Sequence, residues 1–192
     1  MVRTASTMLE LSTQLPSFSL PDIDGSIVSP DDFHDAPALL IIFMCNHCPF
    51  VKYIIGPIVD LISQYQEESV AVIAISSNDV EEYPEDAPQL MKQLAQSEQF
   101  TFPYLYDETQ QTAKDFHAAC TPDFFLFDKD RKLVYRGQLD DSRPSNGIPI
   151  TGADLNAAID ATLEGKQVSQ DQKPSIGCNI KWKSGSEPGY AP

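Results

Sequence analysis

The sequence predicts an α/β fold in which helices flank a central mixed β-sheet. Two uncharged aliphatic runs, 38–44 and 70–75, have the length and branching of strands that are buried on both faces. Each run is followed by a segment of helical character, the order typical of parallel strands joined by helices. Residues 124–127 and 132–136 are joined by the polar turn 128–131 and predict an antiparallel hairpin. Parallel and antiparallel strands together give a mixed sheet.

Turn and helix signals place the other elements in order. Asp24 and Gly25 form a typical hairpin turn within an N-terminal β-hairpin at 18–28. A helix is expected from Pro49 to Gln66. Pro57 should kink or interrupt it, because this residue has no N–H donor and clashes with the preceding turn. Shorter helices are predicted at 89–99, 109–118 and 152–163.

Length and net charge limit the possible domain organisation and binding partners of the chain. The 192 residues suit one domain, placed at 15–165 between an N-terminal arm, 1–14, and a C-terminal tail extension, 166–192, that packs on it. The net charge of −15 argues against binding to nucleic acid or anionic membranes. No apolar stretch reaches the ~20 residues of a membrane span, and 1–15 lacks a secretory pattern. We expect a cytoplasmic protein that binds neither nucleic acid nor membrane.

A dithiol motif carries the candidate chemistry. Cys45, Asn46, His47 and Cys48 lie between the first buried strand and the following helix. Unpaired backbone N–H groups and the helix dipole stabilise a thiolate at such a position, and we expect Cys45 to benefit. A thiolate is the species that attacks disulfides. In a reducing compartment, Cys-x-x-Cys beside a βαβ pattern favours redox chemistry or metal binding over a permanent disulfide.

Three motifs together resemble one family. They are Cys-Asn-His-Cys-Pro-Phe-Val-Lys at 45–52, Ala-Cys-Thr-Pro-Asp-Phe at 119–124 and Pro-Ser-Ile-Gly-Cys at 174–178. The chain is similar over 15–183 to the peroxiredoxin-like, AhpC/TSA-related group of the thioredoxin superfamily. The resemblance implies a thioredoxin-like fold and a thiol–disulfide oxidoreductase that exchanges disulfides with protein partners. It implies no organic cofactor, and a thioredoxin-type protein is a candidate reductant.

The resemblance also implies roles for four residues. Cys45 would be the attacking thiol, the more exposed of the pair and with a lowered pKa, and Cys48 the resolving thiol. The i, i+3 spacing places both sulfurs on one side of the first helical turn. Pro122 would be a cis-proline that faces the dithiol. Thr121 and Pro122 would position a strand of the partner protein.

Asn46 and His47 are the supporting residues between the cysteines. The resemblance to protein disulfide isomerase and periplasmic oxidases, which have His before the second cysteine, implies an oxidant or isomerase. An imidazole near Cys45 would stabilise its thiolate and hence make the disulfide more oxidising. Unlike thioredoxin, the chain has no ionisable group in 39–44, and Met44 stands where a Trp is common. The proton acceptor for Cys48 is therefore unassigned.

Cys120 and Cys178 allow two interpretations. Both are buried cysteines that behave as small apolar side chains, or they form a disulfide that anchors the tail and acts as a second redox pair. Neither spacing nor composition decides between these interpretations.

A peroxiredoxin-like thiol peroxidase, an antioxidant protein, is the first alternative function. Peroxiredoxins use Pro-x-x-x-Thr-x-x-Cys, in which the Thr hydroxyl and an Arg polarise the peroxide. Counting back from Cys45 gives Ile42 and Ala38 at the Thr and Pro positions, and counting back from Cys48 gives Cys45 and Ile41. Only weak peroxidase activity is expected.

A Cys/His metal-binding module is the second alternative. Cys45, His47 and Cys48 would supply ligands, with His34 or His117 as the fourth. We expect no metal, since no second Cys-x-x-Cys occurs. The acidic residues of 81–86 are predicted to lie in a solvated loop. Those at 140–141 are expected in a solvated turn or, with Arg143, in a local salt-bridged loop near the active face.

Overall fold

The computed structural model describes residues 3–191. Its strands are β1 (Arg3–Ala5), β2 (Leu20–Pro21), β3 (Ile27–Val28), β4 (Ala38–Phe43), β5 (Ala71–Ser76), β6 (Tyr104–Tyr106), β7 (Cys120–Thr121), β8 (Asp123–Asp128), β9 (Leu133–Gly137) and β10 (Ile176–Asn179). Its α-helices are α1 (Pro49–Glu67), α2 (Pro88–Ser97), α3 (Gln111–Asp115) and α4 (Ala153–Leu163).

The central sheet has the strand order β6-β5-β4-β8-β9. The pairs β4–β5 and β5–β6 are parallel, whereas β4–β8 and β8–β9 are antiparallel. All six residues of β4 and of β5 are buried, as expected for uncharged central strands covered on both faces. The predicted α/β fold with a mixed sheet flanked by helices is confirmed, and so is the N-terminal hairpin, formed by β2 and β3.

The alternation of side chains along β4 creates two cores. Leu40 and Ile42 face the core beneath α1 and α4, where they join apolar side chains such as Leu155. Ile41 lies in the second core, on the opposite face of the sheet. The sheet therefore separates a core beneath α1 and α4 from a second core, to which α3 contributes Ala113.

Helix α1 continues through Pro57, so the interruption, one of the two effects predicted for this residue, does not occur. Pro57 is exposed, and water can therefore solvate the carbonyl group that loses its intrahelical donor. In the described residues, no helix is long and apolar enough to cross a membrane.

The tail contributes a strand to a second sheet, with the order β1-β10-β7. Cys178 is paired with Thr121 and Asn179 with Cys120, both antiparallel. Gly177 makes this close pairing possible, because a Cβ atom there would lie 1.9 Å from the Thr121 carbonyl oxygen. The sheet brings the C-terminal cysteine beside the segment that precedes Pro122.

Candidate active site

The dithiol lies at the carboxyl end of β4. Cys48 is the N-cap of α1, and Pro49 occupies the first helical position, where its missing N–H costs nothing. Cys45 is 1% exposed and Cys48 is 0% exposed. The expectation that Cys45 is an exposed thiol is therefore wrong in this structure: both thiols are buried, and Thr121 and His47 contact the Cys45 sulfur.

The segment before β8 contacts both sulfurs. The Thr121–Pro122 peptide bond is cis, which confirms the expectation for Pro122. Thr121 Oγ1 lies 3.5 Å from Cys45 Sγ, and the Thr121 carbonyl oxygen lies 3.2 Å from Cys48 Sγ. The predicted role of Thr121 in pairing with a partner's strand is not compatible with this structure, because β10 already pairs with that residue.

Cys178, rather than Cys120, is the third cysteine of the site. Its Sγ lies 2.9 Å from Cys48 Sγ. Cys120 Sγ instead approaches the carbonyl oxygens of Pro122, at 3.7 Å, and Ser175, at 3.9 Å.

Of the two interpretations of Cys120 and Cys178, the structure does not contain the disulfide. None of the four cysteines, all of which are described, forms a disulfide. Cys178 is paired in the ladder with Thr121, and Cys120 with the next residue along β10, Asn179. Successive ladder pairs point to opposite faces of a sheet, so the two thiols diverge. Cys120, fully buried, matches the interpretation as a small apolar side chain.

The pKa values of the clustered thiols are shifted in opposite directions. Hydrogen bonds from the thiols of Cys178 and Cys45 lower the pKa of Cys48, and the backbone N–H of Val51, in the first turn of α1, acts in the same direction. The pKa of Cys45 is raised because its thiol donates to Cys48, because it is buried and because the Asp86 carboxylate is near. The low-pKa thiol is thus the second cysteine, which corrects the prediction for Cys45. The main reason is that the thiols of Cys178 and Cys45 both donate hydrogen bonds to Cys48.

Asp86 organises the turn between the cysteines. Its Oδ1 accepts hydrogen bonds from the backbone N–H groups of Asn46, at 2.8 Å, and His47, at 3.0 Å. Its Oδ2 accepts from Asn78 Nδ2 at 2.8 Å and lies 2.6 Å from His47 Nδ1. Burial acts to raise the pKa of Asp86, but the hydrogen bonds from His47 and Asn78 outweigh it and lower the pKa.

The prediction of a solvated loop is wrong for Asp86, which is fully buried, and that of a solvated turn is wrong for Asp140, which is 3% exposed. Nothing local distinguishes Asp86 from its exposed acidic neighbours in the sequence. Its partners in the turn between the cysteines, Asn46 and His47, lie some 40 residues away on the chain, so only the assembled fold identifies it.

The two supporting residues, His47 and Asn46, contact different neighbouring segments. The His47 ring stacks on Tyr83, with ring centroids 5.3 Å apart, and its Nδ1 lies 3.9 Å from Cys45 Sγ. Asn46 accepts a hydrogen bond from the hydroxyl of Tyr104 at 3.2 Å and donates to the Glu85 carbonyl. The turn is therefore rigidly tied to surrounding elements.

One group of potential metal ligands occurs in the described chain. Ligand atoms of Cys45, His47 and Asp86 lie within 4.8 Å of one another. The predicted fourth ligands are not part of it: His34 contacts Asp31 and Asp35. His117, the other candidate, stacks on Tyr190.

Comparison with solved structures shows the fold class of the chain. The chain resembles thioredoxin-fold proteins, among them a putative thiol:disulfide interchange protein DsbE from Chlorobium tepidum, with 19% identity, a TM-score of 0.64 and coverage of 81% of this chain and 99% of that one. Peroxidoxin BcpB from Mycobacterium tuberculosis has 19% identity and a TM-score of 0.60, with coverage of 81% and 97%. These likenesses confirm the thioredoxin-like fold.

The AhpC/TSA family model matches residues 11–136. The chain belongs to the AhpC/TSA family. An uncharacterized conserved protein from Geobacillus kaustophilus is 54% identical with a TM-score of 0.93, covering 95% of this chain and 97% of that one. A hypothetical protein from Sinorhizobium meliloti is 47% identical, also with a TM-score of 0.93, covering 95% and 100%. No protein with a curated description matches the chain significantly.

Proposed function

We propose that the chain is a thiol–disulfide oxidoreductase that exchanges disulfides with protein partners through Cys45 and Cys48. One observation carries the proposal: the Cys-x-x-Cys pair lies at the start of α1 against Thr121 and cis-Pro122, with Thr121 Oγ1 3.5 Å from Cys45 Sγ and the Thr121 carbonyl oxygen 3.2 Å from Cys48 Sγ. The lowered pKa of Cys48, to which Cys178 and Cys45 donate hydrogen bonds, is consistent with a reactive thiol pair. The dithiol itself accepts and gives the two electrons, so the exchange needs no organic cofactor.

The proton needed for attack is exchanged within the pair. Cys45 donates its hydrogen bond to the Cys48 thiolate. As Cys45 attacks a partner disulfide, its proton passes to Cys48, one partner sulfur leaves as a thiolate and a mixed disulfide forms. Cys48 then attacks Cys45, and the second partner sulfur leaves with the remaining proton. The partner disulfide is reduced and the pair becomes oxidised, with electrons and protons balanced.

A partner must approach over the turn between the cysteines. Asn46 and His47 are partly exposed there, whereas the Thr121 edge is covered by β10. Protein thiols or disulfides in the cytoplasm are the proposed substrates, and a thioredoxin-type protein is the proposed reductant. His47 acts as a positioning residue, since Asp86 fixes its ring beside the sulfur of Cys45.

Trapping with a disulfide peptide tests the roles. Cys48→Ser is expected to accumulate a mixed disulfide between Cys45 and a synthetic peptide that contains one intramolecular disulfide, located by mass spectrometry of the digest. The matched control is Cys120→Ala, whose thiol faces other contacts and which should release reduced peptide like the wild type. Absence of the adduct, or an adduct at another cysteine, would overturn the assignment.

A parallel measurement with hydrogen peroxide addresses the alternative function. Peroxide consumption at the rate of a simple thiol is expected, because in the described chain no arginine donates a hydrogen bond to Cys45 or Cys48. Consumption far above that rate would assign the site to a peroxidase instead.

A further inference from the structure

Strand β10 occupies the position beside Thr121 and presents a sulfur to the dithiol. Cys178 Sγ lies 2.9 Å from Cys48 Sγ, closer than two sulfurs that only touch, while a disulfide requires about 2.05 Å. Side-chain movement of less than an ångström therefore suffices for a bond. The pKa of Cys178 is raised because its thiol donates to Cys48 and because it is buried, while the backbone N–H of Phe50, in the first turn of α1, acts in the opposite direction.

We propose that Cys178 is a third redox-active cysteine, which forms an intramolecular disulfide with Cys48. The inference rests on the proposed function only for the origin of the oxidising equivalents, which enter as the Cys45–Cys48 disulfide. Of the two sulfurs of that disulfide, Cys48 is the one that Cys178 contacts. The exchange thus has a defined direction of attack.

The step is an internal thiol–disulfide exchange. The Cys178 sulfur attacks the Cys48 sulfur, the Cys48–Cys178 bond forms and the Cys45–Cys48 bond breaks. Cys45 leaves as a thiolate and takes up the proton that Cys178 has lost, so nothing is oxidised or reduced overall. The protein then stores one disulfide beneath the tail and regains the Cys45 thiol for another substrate.

Gly177 supports this arrangement from the neighbouring position. A methyl group at residue 177 would overlap the carbonyl of Thr121, at 1.9 Å from the oxygen and 2.6 Å from the carbon. Gly177→Ala must therefore displace β10 from β7, while every thiol is retained. The variant therefore tests whether the position of the Cys178 sulfur matters, because the thiol is still present but displaced.

The test uses the full-length chain in a Cys45→Ser background, which leaves three of the four thiols. After incubation with oxidised glutathione, this variant is expected to retain one thiol, Cys120, and to contain a monomeric Cys48–Cys178 crosslink. Cys45→Ser/Cys120→Ala should form the same crosslink, and Cys45→Ser/Cys178→Ser should form none and carry glutathione on Cys48. Adding Gly177→Ala should slow crosslinking about tenfold or more.

Three results would overturn the proposal: glutathione adducts without a crosslink, a crosslink that includes Cys120, or crosslinks only between molecules. Near-ultraviolet circular dichroism of each variant reports whether the fold is kept. Failure of the proposed function gives a different result, the absence of a peptide adduct at Cys45 in the Cys48→Ser protein. That result is independent of whether Cys48 and Cys178 form a crosslink in the Cys45→Ser protein.

Discussion

Replacing Asp86 with Asn tests whether one buried carboxylate holds the active-site turn. The amide is nearly isosteric, and its Oδ1 can still accept from the backbone N–H groups of Asn46 and His47. Its NH2 group, however, takes the place of the Oδ2 atom that accepts from Asn78 and faces His47 Nδ1. Donor then faces donor at Asn78, and the negative charge beside His47 is lost.

The expected cost is about 2–4 kcal/mol in the free energy of unfolding at pH 7, since a hydrogen bond to a buried charged group contributes about 1.5–3 kcal/mol and an orphaned donor adds to the loss. The sign of the pH dependence follows from the lowered pKa of Asp86. The carboxylate stabilises the fold above its unfolded value near 3.8, and this contribution is lost as the pH falls below it. The difference between wild type and variant should therefore shrink in acid.

Urea unfolding at several pH values measures this difference, and the pH profile of Cys45 alkylation gives a second readout. Because the Asp86 charge helps to raise the pKa of Cys45, Asp86→Asn should shift that profile to lower pH. Glu85→Gln is the matched control, since the Glu85 side chain is exposed, and it should stay within about 0.5 kcal/mol of wild type. A loss below about 1 kcal/mol in Asp86→Asn, unchanged at pH 3, would refute the reasoning.

Two further carboxylates give predictions of opposite sign. Burial raises the pKa of Asp123 to about 8, so wild type should lose stability as the pH rises from 3.8 to 8. Asp123→Asn, neutral throughout, should flatten that decline in urea unfolding, and an unchanged slope would contradict the assignment. Asp140 accepts from the backbone N–H groups of Ser142, Thr151 and Gly152 at the start of α4. Asp140→Ala should lower the free energy of unfolding by about 3 kcal/mol at pH 7 and by less below pH 3.8, because the pKa of Asp140 is lowered in the fold. A loss that is the same at both pH values would indicate that only packing is affected.

The parts of the fold that the sequence predicts well are those governed by local pattern. The uncharged run of β4, the following dithiol and the helix α1 are specified by contiguous residues. The strands that it misses, β1, β6, β7 and β10, have only two to four residues each. Segments of that length carry no periodicity, and their pairing depends on the assembled neighbours.

The candidate site divides in the same way. The Cys-x-x-Cys spacing predicts the roles of Cys45 and Cys48, and the family resemblance predicts the cis bond at Pro122. The contact between Cys48 and Cys178 joins residues 130 positions apart. Ladder register places Cys178 on the face of the dithiol, and a shift of β10 by one residue would turn its side chain to the opposite face. The correct pair is therefore a tertiary property.

The acidic character of the protein makes the location of the thiolate informative. With a net charge of −15, the average field of the chain disfavours another anion. Charges farther than the Debye length of about 10 Å at 0.1 M salt are largely screened, whereas donors in direct contact with a buried sulfur are not. The thiols of Cys45 and Cys178 and the N–H of Val51 are in that inner group. Donors in direct contact with Cys48 thus lower its pKa despite the negative charge of the chain as a whole.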